Sequence, residues 1–160
     1  MKRSKTYVYA TMIVLLLLLT GFIRDFTFKS INALLKARDN EIPYHLHASL
    51  SFMEKYEYAT LVDIKWVLTL LFTGIYLLIA LLAIKLFFQN RMYMWVLTVA
   101  YIGITLLSGI LMAAGYFFGI TGKMYEFARY LMGIAQSPVI LMILIPLLKL
   151  REKEKTTAAS

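Results

Sequence analysis

Residues 66–84 read WVLTLLFTGIYLLIALLAI and contain no charged side chain. Three further charge-free runs of similar or greater length occupy residues 6–23, 92–122 and 130–148. A helix of roughly 17–25 largely apolar residues is long enough to cross the hydrocarbon layer of a bilayer, which is about 30 Å thick. Each run therefore predicts a membrane-spanning helix, and the chain is expected to fold within the bilayer.

The amino-acid composition supports a membrane location. Hydrophobic residues make up 61% of the 160-residue chain and charged residues 16%, whereas soluble domains are about half apolar and a quarter charged. The net charge of +8 comes from basic residues that cluster near the ends of the apolar runs. Anionic lipid headgroups explain such a pattern better than nucleic acid does, so we predict no nucleic-acid partner.

The order of the runs predicts an all-α integral membrane protein. Its fold is expected to be an antiparallel bundle of four transmembrane helices within a single membrane domain, residues 1–160. The predicted spans are residues 6–23, 66–86, 93–119 and 129–149. An outer segment at residues 24–65 and a tail at residues 150–160 complete the chain.

Basic residues near the two termini predict the orientation of the bundle. Positively charged residues accumulate in the cytoplasmic segments of membrane proteins. Five of them flank the first and last runs: Lys2, Arg3, Lys5, Lys149 and Arg151. Both termini are therefore expected in the cytoplasm. The compact size and the lysine-rich tails suggest a bacterial inner (plasma) membrane, with the outer segment on the opposite side.

The outer segment begins with a second kind of helical pattern. Phe28, Ile31 and Leu34 recur at three-residue intervals within residues 24–38, and basic residues occupy other positions. This pattern predicts an extra amphipathic helix in the long outer loop. Pro43 marks a break after it, and a further helix is expected from about residue 48 towards the second span.

Four residues of the outer segment are candidates for a metal site, because their spacing brings imidazole and carboxylate side chains onto shared faces. Two histidines one residue apart lie on the same face of an extended strand, and two carboxylates three residues apart share a helical face. Such a set could hold zinc or iron. The candidates are His45, His47, Glu54 and Glu57. Solvated loop residues with ion pairs to nearby lysines are the simpler interpretation, and we predict no cofactor.

Within the four runs Asp, Glu, Lys, Arg and His are absent. Intramembrane ionisable residues mark proton relays and catalytic carboxylates, so an aspartyl peptidase and a proton-coupled transporter are disfavoured. The chain also lacks cysteine, which excludes thiol chemistry. Uncharged polar residues at helical spacing remain, and they are typical of an inward-facing bundle surface.

These polar residues predict a cavity that opens towards the outer side. Gln136 is the strongest signal, because an amide in the bilayer needs a hydrogen-bond partner. Pro138 is expected to kink the fourth span, and Arg129 is placed to hold an anionic headgroup or a carboxylate. The candidate cavity residues are Tyr76, Tyr101, Thr105, Tyr125, Arg129, Gln136 and Ser137. Ordinary helix packing is the alternative explanation for them.

Three functions remain open from the sequence. The leading one is non-enzymatic: an accessory, assembly or scaffold subunit of a membrane complex, or a homo-oligomer, because catalytic pairs are missing and the first span is apolar on all sides. The second is binding or transport of an outer-leaflet lipid or another apolar substrate through the cavity. The third is an interfacial enzyme or metal site in the outer loop. The expected partners are the bilayer and either another membrane protein or a second copy.

Overall fold

A computed structural model describes residues 3–88 and 90–158. Helices dominate this part of the chain, and its described residues contain no strand. The helices are α1 (Arg3–Asp39), a 3-10 helix (Ala48–Lys55), α2 (Tyr58–Phe88), α3 (Arg91–Phe117), α4 (Thr121–Ala135) and α5 (Val139–Ala158).

Three helices, α1 to α3, are long and apolar enough to cross a membrane. The successive helices α4 and α5 give a fourth candidate span when the bent pair is counted as one. The prediction of an all-helical chain with three to four helices that could span a membrane is therefore confirmed for the described residues. The end of the molecule that carries residues 40–57 and the turn at residues 118–120 is called the loop end below.

Helix α1 is longer than a bilayer requires. Its 37 residues extend about 55 Å at 1.5 Å per residue, so its charged second half projects beyond a hydrocarbon layer of about 30 Å. The sequence predicted a span ending at residue 23 and a separate amphipathic helix at residues 24–38. The structure instead joins them in one helix, because charged residues such as Arg24 end an apolar run without ending the helix.

The loop end has its own small hydrophobic core between α1, α2 and the 3-10 helix. Its buried members are Ile31, Leu34, Leu35, Leu46, Met53 and Leu61. Two hydrogen bonds of 2.6 Å close the connection over this core: Arg38 Nη2 donates to the Glu54 carbonyl, and the Leu46 N–H donates to Glu54 Oε1. The projecting ends of α1 and α2 are thus held together outside the apolar layer.

A second hydrophobic core lies among the apolar runs. Its buried members include Ile13 from α1, Tyr76 and Ala80 from α2, Tyr101 from α3 and Leu141 from α5. Contacts link α1 with α2, α2 with α3, and α3 with α4. Short connections make α3 antiparallel to α2 and α4 antiparallel to α3, and the α3–α4 turn uses a glycine, Gly119, at a φ of 68°.

The predicted fourth span, residues 129–149, falls on α4 and α5, which meet at a bend of 55°. The kink expected at Pro138 is the cause. Proline lacks the N–H for the helical hydrogen bond, and its ring disfavours helical geometry at the preceding Ser137. Helix α4 therefore ends at Ala135, and α5 begins at Val139. The bend leaves Gln136 at a break between two helices.

We predict that Leu61→Ala destabilises the protein far more than Leu71→Ala. Both leucines lie in α2, but Leu61 is 0% exposed in the loop-end core whereas Leu71 is 55% exposed. A buried leucine replaced by alanine loses about 2–5 kcal/mol of unfolding free energy, and an exposed site loses about 0.5 kcal/mol or less. Unfolding titrations in detergent micelles measure both losses. Equal losses would contradict the existence of this core.

Candidate functional site

A cavity of about 520 Å³ lies at the loop end between α1, α2, α3 and α4. Small-molecule sites usually occupy about 300–1,000 Å³, and the volume of this cavity falls within that range. Each helix contributes residues spaced three or four apart, which share a helical face. The lining residues are Arg24, Phe28, Asn32, Leu35, Tyr58, Val62, Lys65, Trp66, Thr69, Leu70, Thr105, Ser108, Gly109, Met112, Tyr125, Ala128, Arg129, Met132, Gly133 and Gln136.

Among the described residues, the charged side chains that line this cavity all have one sign. Arg24, Lys65 and Arg129 line it, and no lining residue is acidic. Each of these cations directly adjoins an apolar run, so the three come together at the boundary between the apolar runs and the loop end. Most of the other lining side chains are aliphatic, aromatic or thioether groups. The cavity therefore combines apolar walls with three cations at the boundary of the apolar runs. This group of cations, Arg24, Lys65 and Arg129, is called the basic level below.

Gln136 is the centre of the hydrogen-bond network below this level. Its side chain is 3% exposed, and its Nε2 donates to the Thr69 carbonyl at 2.7 Å and to Thr73 Oγ1 at 3.0 Å. Its Oε1 accepts from Arg24 Nε at 3.0 Å, and its carbonyl oxygen accepts from Arg24 Nη1 at 3.3 Å. The expectation that this amide needs a partner is confirmed. The bonds tie α1 and α2 to the bend between α4 and α5.

Arg24 is the residue that the sequence analysis missed. It directly follows the first apolar run, but its long side chain reaches the level of Gln136, which is the seventh residue of the fourth run. Arginine can place its stem along apolar surface in this way. The Arg24 side chain is 25% exposed, and the Asp25 carboxylate lies 3.4 Å from its Nη1. The signal that could have found it was the unmet hydrogen-bonding need of Gln136.

Lys65 and Arg129 face the same cavity from α2 and α4. Lys65 Nζ donates to the Tyr125 hydroxyl at 3.2 Å and lies 5.9 Å from the centre of that ring. Tyr125 and Arg129 are one turn apart on α4, so they share a face. Within residues 3–88 and 90–158, neither cation has a carboxylate oxygen within 4.0 Å. Both positive charges are thus without an acidic partner in the described chain.

A second, more open cavity of about 430 Å³ shares part of its wall with the first. Arg24, Arg129 and Gly133 line both cavities. The remaining residues of the second are Glu126, Tyr130, Ile134 and Ser137. Arg24 and Arg129 therefore face two adjoining cavities.

The predicted cavity residues divide into two groups. Four of them, Thr105, Tyr125, Arg129 and Gln136, line the first cavity, and Ser137 lines the second. Tyr76 and Tyr101 are not among the residues that line either cavity, and each is 2% exposed in the core between the apolar runs. Both belong to the cluster in which α2 and α3 pack together.

Three of the four predicted metal residues, His45, His47 and Glu54, make contacts within the connection between α1 and α2. His45 Nδ1 lies 3.6 Å from Glu54 Oε2, while His47 Nδ1 accepts from the Ser49 N–H at 3.4 Å and so caps the 3-10 helix. Glu57 is exposed. In the described ranges, no three His, Asp or Glu side chains come close enough together to hold a metal ion.

No protein-family model, curated protein or solved structure matches this chain. The chemistry of the site is therefore read from its own residues. Cations and hydroxyl groups beside an apolar wall can bind and orient a molecule that has an anionic part and an apolar part.

We predict strong coupling between Arg24 and Gln136. Gln136→Leu removes the Oε1 acceptor of a partly buried guanidinium, and Arg24→Leu removes a donor to a buried amide. Leaving such a group unsatisfied costs about 1–3 kcal/mol, whereas removing both partners is less costly. Unfolding titrations of the two single variants and the double variant should give an interaction energy of about 1 kcal/mol or more.

The matched control for this cycle is Arg129→Leu combined with Gln136→Leu. Arg129 lines the same cavity, but the described chain shows no hydrogen bond between its guanidinium and Gln136. The losses of unfolding free energy in this second pair should add. Additive losses for Arg24 and Gln136 as well would show that their hydrogen bonds do not stabilise the fold.

Proposed function

We propose that this protein binds a lipid or another amphiphile in the loop-end cavity. The observation that carries the proposal is the combination of a volume of about 520 Å³ with three cations and largely apolar walls. A purely apolar ligand would gain nothing from Arg24, Lys65 and Arg129. A fully polar ligand would leave the aliphatic and aromatic wall unused, so a molecule with both parts fits best.

The size of the cavity suggests how such a ligand is accommodated. A volume of about 520 Å³ lies within the usual range of about 300–1,000 Å³ for drug-sized ligands. It suits a headgroup and the first part of a chain. The second cavity, which shares Gly133 and both arginines with the first, offers a route by which the rest of a chain reaches the bilayer. Binding with lateral exchange is therefore the mode that we propose.

We propose further that the loop end faces outward from a bacterial inner membrane. The basic residues near both termini support cytoplasmic ends, and an even number of spans would then return the chain to the side on which it began. With α4 and α5 counted as one bent span, the chain has four. In this orientation the cavity lies at the level of outer-leaflet headgroups, in a bundle of four spans.

Association with another membrane protein or a second copy is the second candidate function. It is favoured by α1, in whose most apolar stretch 6% of residues are buried, against 39% in α2. Leu18 and Phe22 are among its exposed side chains. Such a helix offers a docking surface to an accessory, assembly or scaffold partner. The interfacial enzyme has less support, because His45, His47 and Glu54 make contacts that order the loop.

We predict that Gly109→Phe abolishes retention of a bound lipid. Gly109 lines the cavity, and a side chain added there meets open space. The phenyl ring would occupy the volume that we assign to the ligand. Native mass spectrometry of protein extracted in mild detergent should show a lipid adduct on the unsubstituted protein and a large loss of that adduct in Gly109→Phe.

Gly103→Phe is the matched control, because Gly103 lies in the same helix, is exposed and lines neither cavity. It also has open space at the position of an added side chain. Both changes replace glycine in a helix, so their effects on helix propensity are the same. Retention of the adduct in both variants would reject the cavity as the binding site. A spectrum dominated by a second protein or by oligomers without lipid would favour association.

A further inference from the structure

We propose that the ligand is an anionic lipid whose headgroup phosphate is bound by Lys65 and Arg129, with Arg24 as a third cation. This inference rests on the proposed function, since it names the chemical class of the molecule in the same cavity. It is carried by where the charges lie, which residues neutralise them and which donors they offer.

The charges of Lys65 and Arg129 are not neutralised by an ion pair in the described residues, although Glu126 lines the second cavity together with Arg129. Arg24 is partly compensated by Asp25 at 3.4 Å, but in the described part of the chain the other two cations have no carboxylate within 4.0 Å. Lys65 is partly buried and Arg129 is exposed, and like charges that line one cavity repel each other. An anion between them removes this cost.

The residues that line the cavity offer several hydrogen-bond donors to an anion. An arginine guanidinium binds phosphate oxygens in a bidentate manner, and a lysine ammonium has three donors. Lys65 uses one of them on the Tyr125 hydroxyl, and that hydroxyl keeps its own proton for a ligand oxygen. Lys65, Tyr125 and Arg129 thus present donors from two helices to one space. Arg24 also lines this cavity, and its guanidinium donates two hydrogen bonds to Gln136.

The geometry of the anion's oxygens separates phosphate from carboxylate as the ligand. A carboxylate has two oxygens in one plane, whereas a phosphate carries several peripheral oxygens in a tetrahedral arrangement. The three cations come from three different helices, α1, α2 and α4, so they can approach a bound anion from more than one direction. This arrangement suits a tetrahedral anion. A fatty acid is therefore the weaker match.

The apolar wall of the cavity separates a lipid from free phosphate as the ligand. Leu70, Met112 and Met132 form an apolar wall of the same cavity, and methionine side chains adapt to irregular flexible chains. Gly133 adds no side chain where the two cavities share their wall. Free phosphate would use none of these features. An acyl or isoprenoid chain attached to the phosphate would use all of them.

The test is a competition between lipids that differ only in headgroup. The full chain is reconstituted in nanodiscs with equal amounts of phosphatidylcholine, phosphatidylglycerol and phosphatidic acid that carry identical acyl chains, and the retained lipids are counted by native mass spectrometry. We expect the two anionic lipids to be enriched over phosphatidylcholine. Loss of one charged hydrogen-bonding group in Lys65→Gln or Arg129→Gln should reduce that enrichment about tenfold.

Matched controls come from the opposite end of the helices. Lys85 and Arg91 are exposed and line neither cavity, so Lys85→Gln and Arg91→Gln should leave the enrichment unchanged. Arg129→Lys keeps the charge and should retain part of the preference. A circular dichroism spectrum of each variant confirms that it is folded. An equal reduction in all the glutamine variants would reduce the effect to net charge and overturn the inference.

The remaining outcomes separate this inference from the proposed function. If phosphatidylcholine is retained as well as the anionic lipids, and Gly109→Phe removes them all, the cavity binds lipid without selecting a net negative charge, and the inference of an anionic ligand is overturned. If no lipid is retained, both proposals fail. Preferential retention of added oleate would point to a carboxylate. Displacement of phosphatidic acid by millimolar inorganic phosphate would show that the apolar part of the ligand contributes nothing to binding.

Discussion

The need of one buried amide for hydrogen bonds organises the site. Gln136 lies within an apolar run, where an unsatisfied amide would cost several kcal/mol on hydrocarbon reference scales, and it finds partners in Thr69, Thr73 and Arg24. The bend before Pro138 exposes its carbonyl oxygen to the same guanidinium. These bonds fix where α1 and α2 stand relative to the break between α4 and α5. The cavity lies between these hydrogen bonds and the loop end.

The sequence predicted the helical class and the apolar spans well, because a charge-free run reports directly on what a bilayer tolerates. It failed where charge was taken to end a helix. Arg24 marks the limit of the apolar run, but α1 continues to Asp39. Helical spacing likewise placed Tyr76 and Tyr101 on the correct inner faces without showing at what depth the helices separate. That depth depends on the bend, which is a tertiary feature.

The cations illustrate why a site can escape analysis of the sequence. Arg24, Lys65 and Arg129 are far apart in the chain, and each alone is explained as a basic residue at a membrane boundary. Only the packing of α1, α2 and α4 shows that all three face one cavity without an acidic lining residue. The Arg129 prediction rested on a single residue. The proposed phosphate site depends on the group, and on the apolar wall beside it.

A direct measurement of the distance between the headgroup and the Lys65 ammonium tests this account most sharply. Solid-state NMR of ¹⁵N-lysine-labelled protein in anionic bilayers reports ³¹P–¹⁵N dipolar coupling, and comparison with Lys65→Gln assigns the Lys65 signal. We predict a coupling that corresponds to about 4 Å, as expected for a direct charge-assisted hydrogen bond. A Lys65 signal without such coupling, in samples where other lysines show it, would contradict a phosphate in the cavity.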